Sequence, residues 1–435
     1  MKVCASLSDA SELDATGDAD MVEIRLDLIH EVPDTCGKET LVTFRGPVDL
    51  GVLPDGFSGT IDIGTEKRPD TDLCVLASYH DYDGTPGSDE IASMLNSMDA
   101  DIRKGAFLVN RPRDLVNIFE ASKKVNGRHV ILGMGGLGTV TRVRQRLLGN
   151  EFSFGFVGEP TAPGQLSVGR MSSLGDDCMI LGIIGNPLGK SKSPAMQNAA
   201  LEHEGIDGIY LRFETPDLDG IEDVIRSYGI RGTNVTIPYK KDIMDHLDRI
   251  DRDAASIGAV NTIVNDGGVL TGYNTDVDGI GKALDVAGVD PTDRRVLIMG
   301  SGGAARACAH FMNGRNADIT ITGRNRDTGR SLAGDFGAVY KAPSSVSVKM
   351  YDLIVNCTPV GMYSDGPYPI NIEAIDHEQA VFDMVYPDTP LLRAAGSKGC
   401  RIAMGSDMLA GQGAASFKLW TGRDGTFDIM RRMIA

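Results

Sequence analysis

Arg295-Val296-Leu297-Ile298-Met299 is an apolar run of buried-strand type, Gly300-Ser301-Gly302-Gly303-Ala304-Ala305 follows at once, and Arg306–Met312 is patterned as a helix. Strand, glycine turn and helix in that order are the setting in which G-x-G-x-x-A binds a dinucleotide. The first glycine makes the tight turn and the second lets backbone approach a pyrophosphate. The helix start adds amide donors and a positive dipole end. Gly300, Gly302, Gly303, Ala304 and Ala305 are therefore the candidate cradle. The next strand, Ala317–Thr322, ends in Gly323-Arg324-Asn325-Arg326. An acid there would bind an unphosphorylated ribose, whereas Arg324 and Arg326 suit a 2′-phosphate, so NADP is expected rather than NAD. A plain glycine turn followed by surface arginines is the competing reading.

Immediately upstream lie Asn234-Val235-Thr236-Ile237-Pro238-Tyr239-Lys240, Gly258-Ala259-Val260-Asn261-Thr262 and Gly272-Tyr273-Asn274-Thr275-Asp276. A lysine, two asparagines, a threonine and an aspartate fall close together, each beside a turn-forming residue. Such a set can hold a small polyhydroxylated molecule and move a proton on it. Helix and strand alternate from Met179 to about Asp278 as one α/β unit, and again from Asp293 to the C-terminus.

Farther upstream, eight short β-rich runs recur: Val3–Leu7, Met21–Leu26, Leu41–Phe44, Thr60–Ile63, Cys74–Ser78, Asp101–Val109, His129–Met134 and Phe152–Val157. Helical patterning is clear between some of them, as in Ser88–Met98, Asp114–Val125 and Thr139–Leu148, and absent between others. The fold class is α/β. The N-terminal part reads as a trimmed (β/α)8 barrel, shorter than the roughly 250 residues usual for that fold. Gly158–Asp177, rich in Gly, Pro, Ser and Asp, reads as a loop and domain linker.

The 435 residues suffice for two or three domains with real cores. A net charge of -17 excludes a nucleic-acid or anionic-membrane partner, since both need a basic surface. The seven cysteines are scattered with no C-x-x-C pair, so no metal site and no disulfide framework is expected. A reducing cytoplasm fits, and neither a signal peptide nor an apolar run of membrane-spanning length is evident.

The C-terminal segments resemble the shikimate dehydrogenase family. The resemblance rests on Gly185-Asn186-Pro187-Leu188-Gly189-Lys190-Ser191-Lys192-Ser193-Pro194, the three segments around Lys240 and Asp276, Asn356-Cys357-Thr358-Pro359-Val360-Gly361-Met362, Asp383-Met384-Val385-Tyr386-Pro387 and Gly411-Gln412-Gly413-Ala414. It implies an α/β substrate domain followed by a Rossmann NADP domain, covering roughly residues 179–435. Ser191 and Ser193 would hold a carboxylate, and Thr236, Asn261 and Gln412 would hold hydroxyls. Asn234 and Tyr386 would be further substrate contacts. Lys240 and Asp276 would flank the carbonyl that accepts hydride, the ammonium donating the proton. Asn325, Thr358, Met384 and Gly405 would join the cofactor site. Ser191 and Ser193 are also able to cap the following helix.

The N-terminal part resembles type I 3-dehydroquinate dehydratase. The carrying segments are Glu23-Ile24-Arg25, Thr43-Phe44-Arg45, Ser78-Tyr79-His80-Asp81-Tyr82, Asp101-Ile102-Arg103-Lys104, Thr141-Arg142 and Ala162-Pro163-Gly164-Gln165. The resemblance implies a Schiff base on Lys104 and His80 as the proton shuttle. Arg25, Arg45 and Arg142 would bind substrate and, as neighbouring cations, favour the neutral amine. Ser6, Glu23, Thr161 and Gln165 match substrate positions. The family's acid that positions the histidine lies in a longer loop after T-F-R, and Asp49 is the candidate substitute here.

The expected domains are 1–172 for the barrel, 178–277 for the substrate domain, 278–400 for the NADP domain, and 401–435 as C-terminal helices packing back on the substrate domain. The expected activity is bifunctional: 3-dehydroquinate is dehydrated to 3-dehydroshikimate, which NADPH then reduces to shikimate. A dehydrogenase carrying an inactive or ligand-binding barrel, and an NAD-using quinate or shikimate dehydrogenase, stay open at this point. Oligomeric state is not readable from the residues.

Overall fold

The computed structural model describes residues 1–160, 164–361 and 366–434. The chain folds as two compact units: Met1–Leu188 with Asp207–Arg231, and Gly189–Ile206 with Gly232–Ala435. Among the described residues no helix is long and apolar enough to cross a membrane.

The first unit is built on eight parallel strands: β1 (Val3–Leu7), β2 (Met21–Arg25), β3 (Glu39–Thr43), β4 (Thr60–Asp62), β5 (Cys74–Asp81), β6 (Ile102–Leu108), β7 (His129–Met134) and β8 (Ser153–Phe156). They run side by side in the order β7-β6-β5-β4-β3-β2-β1-β8. The seam between β7 and β8 has no regular ladder. Asn150 closes it: its amide pairs with the Ile131 backbone N–H and C=O at 2.7 and 2.9 Å, beside a parallel bridge between His129 and Asn150. Among the described residues full helices follow only β5 (Ser88–Asn96) and β6 (Pro112–Ser122); a short helical turn or a 3-10 segment serves elsewhere, and neither follows β4, so the barrel is trimmed as its spacing predicts.

Strand alternation sorts the barrel interior into layers. Met21, Leu41, Leu76, Ile102, Val130 and Phe152 belong to a buried apolar floor. Two residues farther along their strands stand Glu23, Thr43, Ser78 and Lys104, joined by Ser6 and Asp62, all buried. Two residues farther again come Arg25, Arg45, His80 and Ala106, at the C-terminal mouth. The apolar floor supplies the burial energy. The polar layer above it is tolerable only because its members pair with one another.

The same unit holds the parallel pair β9 (Met179–Gly185) and β10 (Gly208–Glu214) and the helix Ile221–Ser227. These are tied to the barrel by polar contacts. Tyr228 is fully buried and its Oη donates to Leu115 O at 2.9 Å. Arg144 donates to the carbonyls of Tyr228 and Asp176 at 2.9 and 3.3 Å, and Arg113 pairs with Asp219 at 2.9 Å.

The second unit contains β11 (Ile230–Val235), whose residues from Gly232 onward pair antiparallel with β13 (Thr262–Asp266). β13 turns through Gly267-Gly268 into β14 (Val269–Tyr273), and the short β12 (Arg249–Ile250) adds to β14. The unit's other sheet is wholly parallel: β15 (Arg295–Met299), β16 (Asp318–Thr322), β17 (Val339–Tyr340), β18 (Leu353–Asn356), β19 (Ala380–Asp383) and β20 (Arg401–Met404). Its order, β17-β16-β15-β18-β19-β20, is that of a doubly wound dinucleotide fold, with a ligand crevice where the order reverses between β15 and β18. The helix Gly405–Thr421 then returns to β13, where Trp420 Nε1 donates to Ile263 O at 2.9 Å, and to the helix Ser193–His203, where Gln197 donates to Gly413 O at 3.0 Å.

Candidate active sites

The barrel mouth gathers Ser6, Glu23, Arg25, Arg45, His80, Lys104, Arg142 and Gln165 around one cavity of about 110 Å³. Lys104 is only 4% exposed, its Nζ lying 3.7 Å from Asp62 Oδ2 and 4.2 Å from the centre of the Phe154 ring. The expectation that cations favour the neutral amine therefore meets two opposing neighbours, a carboxylate and a π face. Glu23 accepts from Ser6 and Thr43, the latter at 2.8 Å.

His80 stacks on Tyr82 and places Nδ1 3.4 Å from Arg45 Nη1. A guanidinium only donates, so Nδ1 faces it as acceptor and the ring proton belongs on Nε2. Burial, then the charges of Lys104, Arg45 and Arg25, push the imidazole down to about 3. Such a ring is neutral at pH 7, though a weak base. Once protonated beside three cations it is a strong acid. Arg142 is buried with its Nε unpartnered and one long contact, 3.4 Å to Phe154 O. Burial alone lowers it to about 10. A buried cation with no carboxylate among the described residues fits an anionic ligand.

Other expected residues sit differently. Asp49 is exposed and accepts from Gly51 N at 2.9 Å, capping the turn Leu50–Val52; it makes no contact with His80. The shortened loop spends this acid on its own turn. Arg25 pairs with Asp27. Thr141 bonds the Gly133 N–H and the Gly138 C=O, a backbone role. Thr161 lies outside the described residues. Asp62, Thr43, Tyr82 and Phe154 were not singled out from the sequence. Asp62 and Thr43 stand two residues beyond Thr60 and Leu41, so strand alternation was the signal available.

In the second unit Lys240 Nζ is 2.6 Å from Asp276 Oδ2, and the carboxylate's other oxygen accepts from Asn261 Nδ2 at 2.9 Å. Asn261 also reaches Gln412 at 3.5 Å and accepts from Thr262 and Thr275. Backbone makes this possible. Val260 N donates to Lys240 O at 2.7 Å and Asn261 N to Tyr273 O at 3.0 Å, so the three loops carrying these residues are stitched together. Asn234 is buried behind the set and bonds Thr262 and Ser416. Ser193 opens the helix Ser193–His203, and its N–H donates to Ser191 Oγ at 3.4 Å. Thr236 is half-buried, in the loop before Lys240. Thr262 and Thr275 stood in quoted segments without an assigned role, and Ser416 escaped the sequence reading. The first two adjoin residues that were named, and Ser416 lies one helical turn beyond Gln412.

The dinucleotide cradle forms where the sheet order reverses. Gly300 has φ +116°, and a Cβ there would press on Cys357 O at 3.1 Å. Gly302 and Gly303 are exposed at the start of the helix Gly303–Asn313, which continues through Ala304 and Ala305. Arg324 and Arg326 are exposed at the end of β16 and pair with no described residue, while Asn325 caps the helix Arg326–Asp335. Open amides and two unpaired guanidiniums fit a phosphorylated dinucleotide. Thr358 and Met384 follow β18 and β19. Thr358 Oγ1 bonds Asn356, which bonds Asp383 at 2.8 Å, and burial raises that acid above the ordinary carboxylate range. Gly405 lies where a Cβ would meet Met384 O at 2.2 Å. Tyr386 is half-buried in the loop after β19; Met362 lies outside the described residues.

Family models match three stretches: type I 3-dehydroquinase over residues 60–175, the shikimate dehydrogenase substrate binding domain over 183–263, and the shikimate 5'-dehydrogenase C-terminal domain over 405–432. The NADP(+) shikimate dehydrogenase of Shouchella clausii is 38% identical over 265 residues, 58% of this chain and 96% of that protein. The shikimate dehydrogenase structure from Aquifex aeolicus aligns with TM-score 0.58 at 32% identity, covering 60% of this chain and 99% of its own. That from Thermus thermophilus, in complex with NADP(H) and shikimate, aligns with TM-score 0.55 at 34% identity, covering 59% and 98%. The chain belongs to the shikimate dehydrogenase family through its C-terminal part and carries a type I 3-dehydroquinase domain ahead of it.

Proposed function

We propose that the chain catalyses two consecutive reactions, dehydration of 3-dehydroquinate to 3-dehydroshikimate and NADPH-dependent reduction of that product to shikimate. The observation that carries the first is a single cavity lined by a buried lysine, a neutral histidine and three arginines. The names of the relatives, with the Lys240–Asp276 pair, support the second.

In the barrel the arginines hold the substrate carboxylate and hydroxyls, Arg142 most directly. Lys104, as the free amine, adds to the ketone, and loss of water leaves an iminium. The cationic nitrogen draws electrons and acidifies the adjacent carbon. His80 removes that proton, giving an enamine, and returns it to the departing hydroxyl, so water leaves. Hydrolysis of the iminium releases the enone and restores Lys104.

In the second site Ser191 and Ser193 hold the carboxylate, and Thr236, Asn261 and Gln412 the hydroxyls, with Asn234 holding Asn261 and Tyr386 at the rim. NADPH, when bound at Gly300–Ala305 with its 2′-phosphate on Arg324 and Arg326, supplies the hydride. Lys240 donates a proton to the carbonyl oxygen as charge develops there, and Asp276 orients the ammonium. The domain boundaries read from the sequence and a cytoplasmic location accompany this proposal.

The test is to follow NADPH absorbance with 3-dehydroquinate as the only substrate. Steady consumption by the intact chain is expected. Lys104→Ala should abolish it, and 3-dehydroshikimate should restore it. Consumption with 3-dehydroshikimate alone would leave the barrel as an inactive or altered module. Silence with both would end the enzymatic reading.

A further inference from the structure

Asp62 is wholly buried, yet only half of its carboxylate is satisfied. Oδ1 accepts from Ser78 Oγ at 2.7 Å and from Gly64 N at 2.9 Å. Oδ2 has no hydrogen-bond partner and faces Lys104 Nζ at 3.7 Å. The same nitrogen lies 4.2 Å from the centre of the Phe154 ring, whose negative face also favours a cation. A bare oxygen in a dry interior is costly, so the arrangement calls for a role.

We infer that Asp62 is a positioning residue for the dehydratase reaction, the fixed counter-charge that holds Lys104 and compensates the cationic nitrogen of its iminium. The inference rests on the proposed dehydratase reading. Geometry favours it over a purely structural role. The two donors on Oδ1 already anchor the side chain, and a structural acid would turn both oxygens to donors. The nitrogen is cationic before His80 takes the proton and again as the hydroxyl leaves, in a cavity crowded with other cations. A carboxylate pinned close by, with no rotamer freedom left, stabilises that charge without reorganising as the reaction proceeds. Its gain comes after the carbon–nitrogen bond has formed, as the enamine expels the protonated hydroxyl and the charge returns to nitrogen.

The experiment uses the full chain as wild type, Asp62→Asn and Ser78→Ala, with 3-dehydroquinate and borohydride. Adduct on the Lys104 peptide is read by mass spectrometry. Dehydration is measured across pH, and the dehydrogenase rate with 3-dehydroshikimate serves as a folding control. Asp62→Asn should lower dehydratase kcat by roughly 10²-fold, with KM little changed. Borohydride trapping on Lys104 should fall in the same variant, because the iminium loses its counter-charge. Ser78→Ala, which frees the carboxylate to turn, should give a smaller loss in the same direction. Wild-type kcat and wild-type trapping in Asp62→Asn would overturn the inference. So would an equal loss of both activities with a lowered melting temperature, the mark of a structural role. No adduct and no dehydration in the wild type would sink the dehydratase reading, and this inference with it.

Discussion

Asn234 Nδ2 donates to Ser416 Oγ at 2.9 Å, joining side chains 182 residues apart. Ser416 is also bonded to Thr262 and Thr275, both partners of Asn261, at 2.8 and 3.0 Å. Ser416→Ala therefore strips a buried network of its hub. The expected cost is about 1–3 kcal/mol, the price of leaving buried donors unpaired. Thermal unfolding reads it directly. The dehydrogenase should suffer mainly in KM for 3-dehydroshikimate, since Asn261 loses its anchor while Lys240 keeps Asp276.

Lys240→Ala removes the proposed proton donor and should lower dehydrogenase kcat by roughly 10²–10⁴-fold. Asp276→Asn keeps the shape but not the charge that holds the ammonium, so its loss should be smaller. NADPH consumption with 3-dehydroshikimate measures both. Dehydration of 3-dehydroquinate in the same samples should be untouched.

His80 gives a pH prediction. Its imidazole is pushed down to about 3 in the fold, whereas an unfolded histidine titrates at about 6.5. Between those values the unfolded chain binds a proton that the folded chain refuses. This residue therefore opposes folding increasingly as pH falls through about 6.5, and the penalty stops growing near 3. His80→Asn should make the chain lose less stability on acidification, as read by denaturant unfolding at pH 7 and 4. In the native chain Arg45→Gln should move the His80 NMR titration upward, because one of the three opposing cations is gone.

Arg324→Ser should raise KM for NADPH by roughly 10-fold, the worth of one charge-assisted hydrogen bond. KM for NADH should barely change, since NADH carries no 2′-phosphate. Steady-state kinetics with the two cofactors decides it. An equal rise for both would mean that Arg324 acts elsewhere.

All eight barrel strands were legible as short β-rich runs, and each structural strand overlaps its expected segment. The helix expected over Thr139–Leu148 ends at Val143, because Arg144 turns out to the Tyr228 and Asp176 carbonyls. The glycine cradle, the Lys240–Asp276 pair and the cluster around Lys104 were readable because each carries a local motif. Asp62 and Ser416 were not, for they act through partners on distant strands and helices. Asp49 shows the converse. Its position in sequence suggested a partner for His80, but a two-residue reach to Gly51 N satisfied it first.

The bond from Tyr228 Oη to Leu115 O bears on how the protein can be divided. The stretch Gly158–Asp177, read from sequence as a domain linker, invites separate expression of two halves, yet Met1–Leu188 and Asp207–Arg231 form one compact unit. A fragment stopping at Asp177 would bare the Leu115 carbonyl, strip Arg144 of its Tyr228 acceptor and leave Arg113 without Asp219. The complementary fragment would present a buried tyrosine to water. A dehydratase produced alone should thus melt lower than it does within the intact chain. A workable excision would have to redesign that face before cutting, since each fragment carries surface that the fold has always kept dry.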